Sequence, residues 1–287
     1  MGADLTWRAL LAEATERLGS AGVTASPDVD ARRLVERASG WEGAELVLHL
    51  DDVPTRRAMG FFDPMLERRL AGEPLQYVLG RWGFRTLDLM VDRRVLIPRP
   101  ETEVVVEAAI DELRRVGGRT VVDLGTGSGA IALSIAVEVV TAEVWAVDAS
   151  ADAVEVARAN TAGVGRPGTR VRVVQGDWYD GLPIDLRGEV DLVVANPPYV
   201  ADDDDLPPEV RDWEPASALF AGGDGLDDLR RIVAGAPAWL RRPGVLVVEL
   251  APDQAAAVAG LARAAGCTSV DVRQDLTGRD RMVVARW

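Results

Sequence analysis

Cysteine, histidine and lysine are almost absent from this chain: of its 287 residues, one is cysteine, one is histidine and none is lysine. A single cysteine, Cys267, cannot form a disulfide within the chain, and it suits a reducing cytoplasm. One cysteine and one histidine cannot build the usual zinc sites, so we expect no metal. A Ser-His-Asp triad would need His49, which lies far from every motif below and which we expect to pack or cap. Metal-dependent and serine hydrolysis are therefore disfavoured.

Positive charge and long apolar runs are also scarce. The 46 acidic residues, four of them consecutive at 202–205, outnumber 32 arginines and give a net charge of −14. Because nucleic acids are bound mainly through excess positive charge, direct nucleic-acid binding is disfavoured. No stretch reaches the roughly 18 consecutive apolar residues of a membrane span. Acids within the apolar periodicity of the N-terminus indicate an amphipathic helix rather than a signal peptide. We expect a monomer with no membrane partner.

Three parts follow one another along the chain. Residues 1–74 show helical periodicity throughout, which predicts a small helical domain. Residues 75–95 consist of short apolar runs broken by glycine, which predicts a β-hairpin linker. Residues 96–287 alternate short apolar runs with helical segments, which predicts a doubly wound α/β sheet.

Periodicity and end signals predict three helices within the first part. The first helix ends at Gly19, and the second extends from about Asp28 to Gly40. Asp63 followed by Pro64 is a combination typical of a helix start, with aspartate as the N-cap and proline in the first turn. We therefore expect the third helix to begin there.

Seven strands are predicted in the third part. The apolar runs that suit buried parallel strands are 121–124, 144–147, 171–174, 192–195 and 245–250. The tail adds SVDVR and DRMVVARW, two further strands separated by a short turn. A closing pair of this kind is expected of methyltransferases and is uncommon in dinucleotide dehydrogenases.

A glycine-rich loop follows the first of these strands, in VVDLGTGSGA at residues 121–130. Its spacing, G-x-G-x-G, is tighter than the dinucleotide fingerprint G-x-G-x-x-G, and it suits the uncharged sulfonium-linked end of S-adenosylmethionine better than a pyrophosphate. Asp123, just before the loop, can face the amino group of this ligand. The plain alternative is a glycine turn between strand and helix. The predicted cofactor residues of this segment are Asp123, Gly125, Thr126, Gly127, Ser128 and Gly129.

Acidic and aromatic residues end the next two strands. Asp148 lies 23 residues after Gly125, close to the roughly 20-residue separation at which a carboxylate meets ribose hydroxyl groups. Asp177 can accept a hydrogen bond from an adenine amino group, and the indole of Trp178 can stack on the ring. Together with the glycine loop, these residues predict an adenosine site.

The motif Asn196-Pro197-Pro198-Tyr199 follows the fourth strand and indicates the reaction class. The lone pair of a planar nitrogen is delocalised, and accepting hydrogen bonds from both of its N–H groups helps the nitrogen to pyramidalise towards a methyl donor. The Asn196 oxygen and the Pro197 carbonyl could accept these bonds, and the prolines would hold both acceptors in place. Tyr199 can stack on the planar substrate group. The motif therefore predicts N-methylation of a planar nitrogen.

The chain resembles the HemK/PrmC family, the release-factor glutamine N5-methyltransferases. The segments that carry the resemblance are GEPLQYVLGRWGF (72–84), LIPRPETE (96–103), DLGTGSGAIAL, NPPYV and WEPASALFAGGDGL (213–226). NPPY is shared with adenine-N6 DNA methyltransferases, whereas LIPRPETE with a helical domain is much more specific. The chain departs from the family in VVELAPDQ (247–254), where a glycine commonly follows the acid-containing strand end.

The resemblance implies a fold, a cofactor and a substrate. The fold would be a seven-stranded, Rossmann-like class I methyltransferase sheet with a small N-terminal helical substrate-recognition domain joined by a β-hairpin. The cofactor would be S-adenosyl-L-methionine, with contacts at residues 125–129, Asp148, Trp178 and Asn196. The substrate would be the glutamine amide in the Gly-Gly-Gln tip of a peptide-chain release factor, held by residues 196–199.

Three alternatives stay open. The first is an adenine-N6 nucleic-acid methyltransferase, which the charge of −14 and the lack of a sizeable base-recognition insertion oppose. The second is a small-molecule N-methyltransferase, since the sequence does not show what docks on the helical domain. The third is a cofactor-binding scaffold without catalysis, against which the intact NPPY motif argues.

Overall fold

The computed structural model describes residues 5–287, and these form two compact units. The chain before Trp82 forms the first unit together with Pro207–Trp213, and the second unit contains Trp82–Leu206 and Glu214–Trp287. The predicted division at 1–74, 75–95 and 96–287 stays a prediction. Within the described part of the chain, no helix has the length and apolarity that crossing a membrane would need.

The helices and strands are the following, in chain order. Over residues 5–287, the helices are α1 (Trp7–Ala21), α2 (Pro27–Ser39), α3 (Gly43–Leu48), α4 (Arg56–Leu70), α5 (Leu75–Leu79), α6 (Pro100–Val116), α7 (Ala130–Glu138), α8 (Ala151–Gly163), α9 (Pro208–Arg211), α10 (Asp227–Trp239) and α11 (Ala255–Ala264). Over the same residues, the strands are β1 (Arg81–Phe84), β2 (Leu87–Met90), β3 (Thr120–Leu124), β4 (Glu143–Asp148), β5 (Val171–Gln175), β6 (Val190–Ala195), β7 (Leu240–Glu249), β8 (Ser269–Gln274) and β9 (Asp280–Arg286).

The first unit is a helical bundle with its own apolar core. The amphipathic N-terminal helix is confirmed as α1, although residues 1–4 of that prediction lie outside the described residues. It continues past Gly19 to Ala21, and α2 is confirmed close to its predicted bounds. His49 packs as expected, since its ring stacks on Trp41 with a centroid distance of 4.0 Å.

The prediction that a helix begins at Asp63 is wrong. Helix α4 begins at Arg56, where the Thr55 side chain accepts from Ala58 N at 3.1 Å, and Pro64 lies inside the helix. An interior proline costs about 3 kcal/mol, whereas burying one large apolar side chain contributes about 1.5–3 kcal/mol. Phe62 and Leu66, on either side of the proline, are only 1% and 3% exposed. Burial of the helix face therefore outweighs the local end signal.

The predicted hairpin is confirmed but shorter than expected. Strands β1 and β2 form a two-stranded sheet, whereas residues 75–79 form the helix α5. Leu75, Val78 and Leu79 belong to the core of the helical unit, so burial again decides the local conformation. In the hairpin turn, Arg85 has a positive φ of 51° and its guanidinium bonds to Glu138 of α7 at 2.6 Å.

The seven-stranded sheet of the second unit confirms the predicted methyltransferase fold. The strand order is β5-β4-β3-β6-β7-β9-β8, and the pairs are parallel except for those that involve β9. The closing pair predicted from the tail is therefore present, with β9 inserted between β7 and β8. The chain reverses its direction of winding around β3, and α/β sheets bind ligands at such a reversal, outside the carboxyl ends of the strands.

Strand register brings the predicted motifs to one level. Leu124 at the end of β3 is paired with Val147 of β4 and with Ala195 of β6. The residues that follow these three, Gly125, Asp148 and Asn196, therefore emerge side by side at one edge of the sheet.

Candidate active site

A cavity of about 380 Å³ lies at the carboxyl edge of the sheet, within the α/β unit. The loops after β3, β4, β5 and β6 line it, together with the segment after β2, the first turn of α6, residues 215–218 and the start of α10. Nine of the predicted site residues line it: Gly125, Thr126, Gly127, Ser128, Asp148, Asp177, Trp178, Asn196 and Pro198.

The glycine loop is anchored to the neighbouring strand by its backbone. Gly125 N and Thr126 N both donate to the Val147 carbonyl oxygen at 2.9 Å. Gly125 has a φ of +72°, and a Cβ built there would lie 3.2 Å from the Trp178 ring. Glycine is therefore required at this position both for its backbone conformation and for the aromatic wall beside it.

Asp148 holds the loop and presents acceptors to the cavity. Its Oδ2 accepts from Gly127 N at 2.8 Å, and its Oδ1 accepts from Ser150 N at 2.9 Å. Burial raises the pKa of Asp148, and these two backbone hydrogen bonds oppose the shift. Each carboxylate oxygen has a second lone pair, so the group can still accept two hydroxyl hydrogens from a ribose.

Trp178 forms one side of the cavity in a conformation that its partners hold. Its backbone φ is +50°, which is uncommon for a residue with a side chain. Its indole Nε1 donates to Asp228 Oδ1 at 3.2 Å, and the neighbouring Asp177 pairs with Arg231 at 2.6 Å. Both partners lie in the first turns of α10, so this helix fixes the aromatic face that an adenine ring would meet.

Asp123 lies behind the loop and does not line the cavity. It is fully buried, and its Oδ2 accepts from the Thr126 hydroxyl at 2.6 Å and from Ala132 N at 3.1 Å. Burial raises the pKa of Asp123 to about 7. Its direct contact with a cofactor stays a prediction, whereas the bonds that the structure shows support the loop.

Asn196 is held at one end of its amide. Its Nδ2 donates to Thr102 Oγ1 at 3.1 Å, in the first turn of α6. Since Oδ1 is an acceptor only, this bond leaves the other end of the Asn196 amide as a hydrogen-bond acceptor. Pro198 lines the cavity beside it.

Pro197, Tyr199 and Gly129 do not line the cavity. Pro197 is buried, and Tyr199 turns its hydroxyl towards Glu249 Oε1, at 3.5 Å. In the loop where the chain departs from the family pattern, Gln254 Nε2 donates to the Tyr199 carbonyl oxygen at 2.9 Å. The predicted stacking of Tyr199 on a substrate stays a prediction, and in this structure the side chain supports the motif from behind.

Several cavity residues were not among those predicted. The unpredicted polar or charged residues of the wall are Arg94, Thr102, Ser150, Ser217, Asp228 and Arg231. Thr102 and Ser217 lie within LIPRPETE and WEPASALFAGGDGL, so the family resemblance could have located them. Asp228 and Arg231 carry no sequence signal, because they reach the cavity only through the packing of α10.

Asn160 is a further supporting residue that sequence reasoning missed. From α8, its Nδ2 donates to the Ser128 carbonyl oxygen at 2.8 Å and to that of Met90 at 3.0 Å, and its Oδ1 accepts from Met90 N at 2.8 Å. It therefore ties the glycine loop to the end of the hairpin.

Two protein-family models match the chain. The model described as PrmC N-terminal domain matches residues 9–80, and the model described as methyltransferase small domain matches residues 102–210. The two matches fall on the helical part and on the part that carries the glycine loop and NPPY.

Relatives and solved structures agree with these matches. The release factor glutamine methyltransferase of Xylella fastidiosa is 45% identical over 279 residues, which are 97% of each chain. That of Deinococcus radiodurans is 43% identical over 281 residues, covering 97% of this chain and 98% of the relative. The hMettl16 catalytic domain, solved in complex with MAT2A 3′UTR hairpin 6, has a TM-score of 0.56 at 19% identity, covering 78% of this chain and 81% of that chain, and it shows a shared fold alone.

These relatives are similar over nearly the whole chain. The glycine loop, Asp148 and the NPPY motif occur together at one edge of a methyltransferase sheet. The chain therefore belongs to the family of release factor glutamine methyltransferases, which use S-adenosyl-L-methionine.

Proposed function

We propose that this protein transfers a methyl group to the side-chain amide nitrogen, N5, of the Gly-Gly-Gln glutamine in a peptide-chain release factor. The observation that carries the proposal is the placement of Asn196 and Pro198 in the same cavity as the glycine loop and Asp148. The names of the relatives, release factor glutamine methyltransferases, support the choice of substrate.

The residues present fit S-adenosyl-L-methionine, which supplies an electrophilic methyl group on a sulfonium. Gly125 has no side chain at the point where a Cβ would meet the Trp178 ring. We assign the ribose hydroxyl groups to Asp148, the adenine face to Trp178 and the chain bearing the sulfonium to the loop of residues 125–129. Asp177 would accept a hydrogen bond from the adenine amino group, as the sequence suggests. Its pairing with Arg231 uses Oδ2, so Oδ1 would serve as the acceptor.

Asn196 and Pro197 would act on the amide nitrogen. An amide nitrogen is a weak nucleophile because its lone pair is delocalised into the carbonyl group. Asn196 Oδ1 would accept one N–H hydrogen, which favours the pyramidal nitrogen of the transition state. The Pro197 carbonyl oxygen is the proposed second acceptor, although Pro197 does not line the cavity in this structure. The two prolines hold these acceptors before the substrate arrives, so their alignment costs little during the reaction.

The reaction needs no base before methyl transfer. S-adenosylmethionine would supply the methyl group and keep the electron pair of its S–C bond. The amide nitrogen would use its own lone pair for the new N–C bond, and, once cationic and strongly acidic, it would lose its proton to water. This order explains why Asn196 and Pro197, both acceptors, suffice at the nitrogen.

The helical domain, residues 1–74, would recognise the release factor, and the hairpin at 75–95 would link it to the catalytic domain. The match of the PrmC N-terminal domain model to residues 9–80 supports this assignment. A release factor acts in translation, so we propose that the enzyme works in the cytoplasm, as a monomer. The charge of −14 disfavours direct binding of nucleic acid and favours a basic protein partner.

A labelling experiment tests the proposal. The protein is incubated with S-adenosylmethionine labelled in the methyl group and, separately, with a release factor, its Gly-Gly-Gln glutamine→Ala variant, and adenine-containing DNA. We expect label only in the unaltered release factor. Label in DNA would favour an adenine-N6 methyltransferase, and equal label in both release factors would exclude the assigned glutamine.

A further inference from the structure

Two segments of the family resemblance have, apart from Thr102, no role in the reaction described so far. They are LIPRPETE (96–103) and WEPASALFAGGDGL (213–226). Although the two are far apart in the chain, Pro98 of the first and Ser217 of the second line the same cavity. A contact that holds the two segments together would therefore shape the wall of the active-site cavity.

Glu214 makes this contact. Its side chain is only 1% exposed. Its Oε2 accepts a hydrogen bond from Ile97 N at 3.0 Å, and its Oε1 accepts one from the Arg99 guanidinium at 2.5 Å. A buried carboxylate is stable only where partners of this kind replace the lost water. Both oxygens of Glu214 are thus directed at one short stretch of LIPRPETE.

The contact lies behind the wall of the cavity. Glu214, Ile97 and Arg99 do not line the cavity, whereas their chain neighbours Pro98 and Pro215 do. Glu214 is also the residue at which the chain re-enters the α/β unit, because residues 207–213 belong to the helical unit. Its carboxylate therefore anchors the returning chain before that chain forms part of the wall.

Both segments are also joined to the NPPY motif. In the first segment, Thr102 Oγ1 accepts from Asn196 Nδ2 at 3.1 Å. In the second, the Leu219 carbonyl oxygen accepts from Val200 N, directly after NPPY, at 2.9 Å. Glu214 supplies the third connection, so each of the three segments is bonded to the other two.

We propose that Glu214 is a positioning residue: by holding residues 97–99 against the start of segment 214–221, it fixes the wall around NPPY, so that the substrate amide meets Asn196 in a reactive orientation. A misplacement of ~1 Å, even from a remote change, can lower a rate by a large factor. This proposal rests on the proposed function for its consequence in turnover. The contact itself belongs to the protein alone and can be measured without a substrate.

The backbone amide of Ile97 reports on the contact directly. The sequence contains six isoleucines, so labelling with 15N-isoleucine should give six backbone amide signals, and Ile97→Val identifies that of residue 97. Glu214→Gln leaves Ile97 N with a neutral acceptor or none, and hydrogen bonds to charged acceptors are the stronger ones. We expect the Ile97 amide proton to move upfield and to exchange faster with D2O. An Ile97 signal that is unchanged in Glu214→Gln would overturn the proposal.

Kinetics with the release factor measure the consequence for turnover. Glu214→Gln has one acceptor oxygen in place of two, and Arg99→Met keeps the side-chain stem without the guanidinium. We expect each variant to lower kcat about tenfold, while cofactor Kd changes by less than about threefold. Arg99→Lys keeps the positive charge and should recover part of the loss. The double variant should lose about as much as Glu214→Gln alone, because both residues act through one contact.

Glu189→Gln is the matched control, since Glu189 is exposed, does not line the cavity and precedes β6 at the end opposite to NPPY. It should change neither kcat nor the Ile97 signal. Wild-type kcat in Glu214→Gln, or losses that multiply in the double variant, would contradict the positioning role. If wild type itself methylated no release factor, the proposed function would fail, and the Ile97 amide would still decide whether Glu214 holds the two segments together.

Discussion

Two buried carboxyl groups support the two halves of the active-site cavity. Asp123 lies behind the glycine loop and Glu249 behind NPPY, 0% and 1% exposed. Each has one oxygen without a hydrogen-bond partner among the described residues, and burial raises the pKa of each to about 7. Their other oxygens differ: Asp123 Oδ2 accepts two bonds, at 2.6 and 3.1 Å, whereas the bond from the Tyr199 hydroxyl to Glu249 Oε1 is long, at 3.5 Å.

The difference shows how the two halves are built. On the cofactor side, backbone N–H groups and a short hydroxyl bond hold the loop, so its shape is set before any ligand binds. On the substrate side, Asn196 is held through a side chain, by the bond from its Nδ2 to Thr102 Oγ1. We therefore expect substitutions on the cofactor side to change affinity and stability, and those on the substrate side to change turnover.

The largest expected effect tests the substrate half. Asn196→Ala removes an acceptor whose hydrogen bond strengthens as the amide nitrogen pyramidalises, so turnover should fall by ~10²–10³. Cofactor affinity, measured by calorimetry, should change little, because the residues assigned to the ribose and adenine are untouched. Turnover within a few-fold of wild type would rule out the assigned role of Asn196. A parallel loss of cofactor affinity would remove the distinction between the two halves.

Asp148→Ala tests the cofactor half. The loss of hydrogen bonds to a charged acceptor should weaken S-adenosylmethionine binding by about 1.5–3 kcal/mol. Asp152→Ala is the matched control, since it removes an exposed acid in the first turn of α8 that does not line the cavity. Calorimetry should show weaker binding in the first variant only. Equal affinities would mean that the ribose is held elsewhere.

The pH dependence of stability examines Asp123 directly. Its pKa is about 7 in the folded protein, above the ordinary value, so the folded state keeps a proton that the unfolded state releases. Between these two values, stability falls as pH rises, by up to ~1.4 kcal/mol per pH unit, and the fall ends above the folded pKa. Asp123→Asn should lack this pH-dependent contribution. The free energy of unfolding of the variant minus that of wild type should therefore increase from pH 5 to 7 and then level off.

Chemical denaturation between pH 5 and 8 measures this difference. Asp152→Asn is the control, because an exposed aspartate on the following helix should leave the pH dependence of stability unchanged. If Asp123→Asn ran parallel to wild type over the whole range, Asp123 would be ionised in the folded state, and its similarity to Glu249 would be lost.

The smallest expected effect concerns the partner. The aspartates at 202–205 are exposed, follow the NPPY motif in the chain and do not line the cavity. Replacing all four by asparagine should slow association with a basic release factor by about tenfold or less at low salt and flatten its salt dependence. Turnover at saturating substrate should stay nearly unchanged, because rim charges affect encounter more than chemistry. Stopped-flow measurements at low and high salt give the association rates. If the rates of wild type and variant depended on salt to the same degree, residues 202–205 would be a solvated loop with no role in association.

Local pattern was enough to predict much of this molecule. The strands and the helices between them are periodic over a few residues, and the glycine loop needs its backbone conformation whatever surrounds it. The errors occurred where distant burial competed with a local signal. Pro64 has the local features of a helix start, yet Phe62 and Leu66 are buried on both sides of it and keep the helix continuous.

By itself, the sequence determined the methyltransferase sheet, the order of its motifs and the residue types at the ends of four strands, because these depend on neighbours in the chain. Only the tertiary structure decided which side chains meet. Thr102 and Asn196 are 94 positions apart, and Trp178 and Asp228 are 50 apart. Such contacts follow from how strands align and helices pack, since a hydrogen bond forms wherever folding places donor and acceptor within about 3 Å of each other. For that reason the sequence predicted the position of Asn196, and only the fold showed that Thr102 holds its side chain.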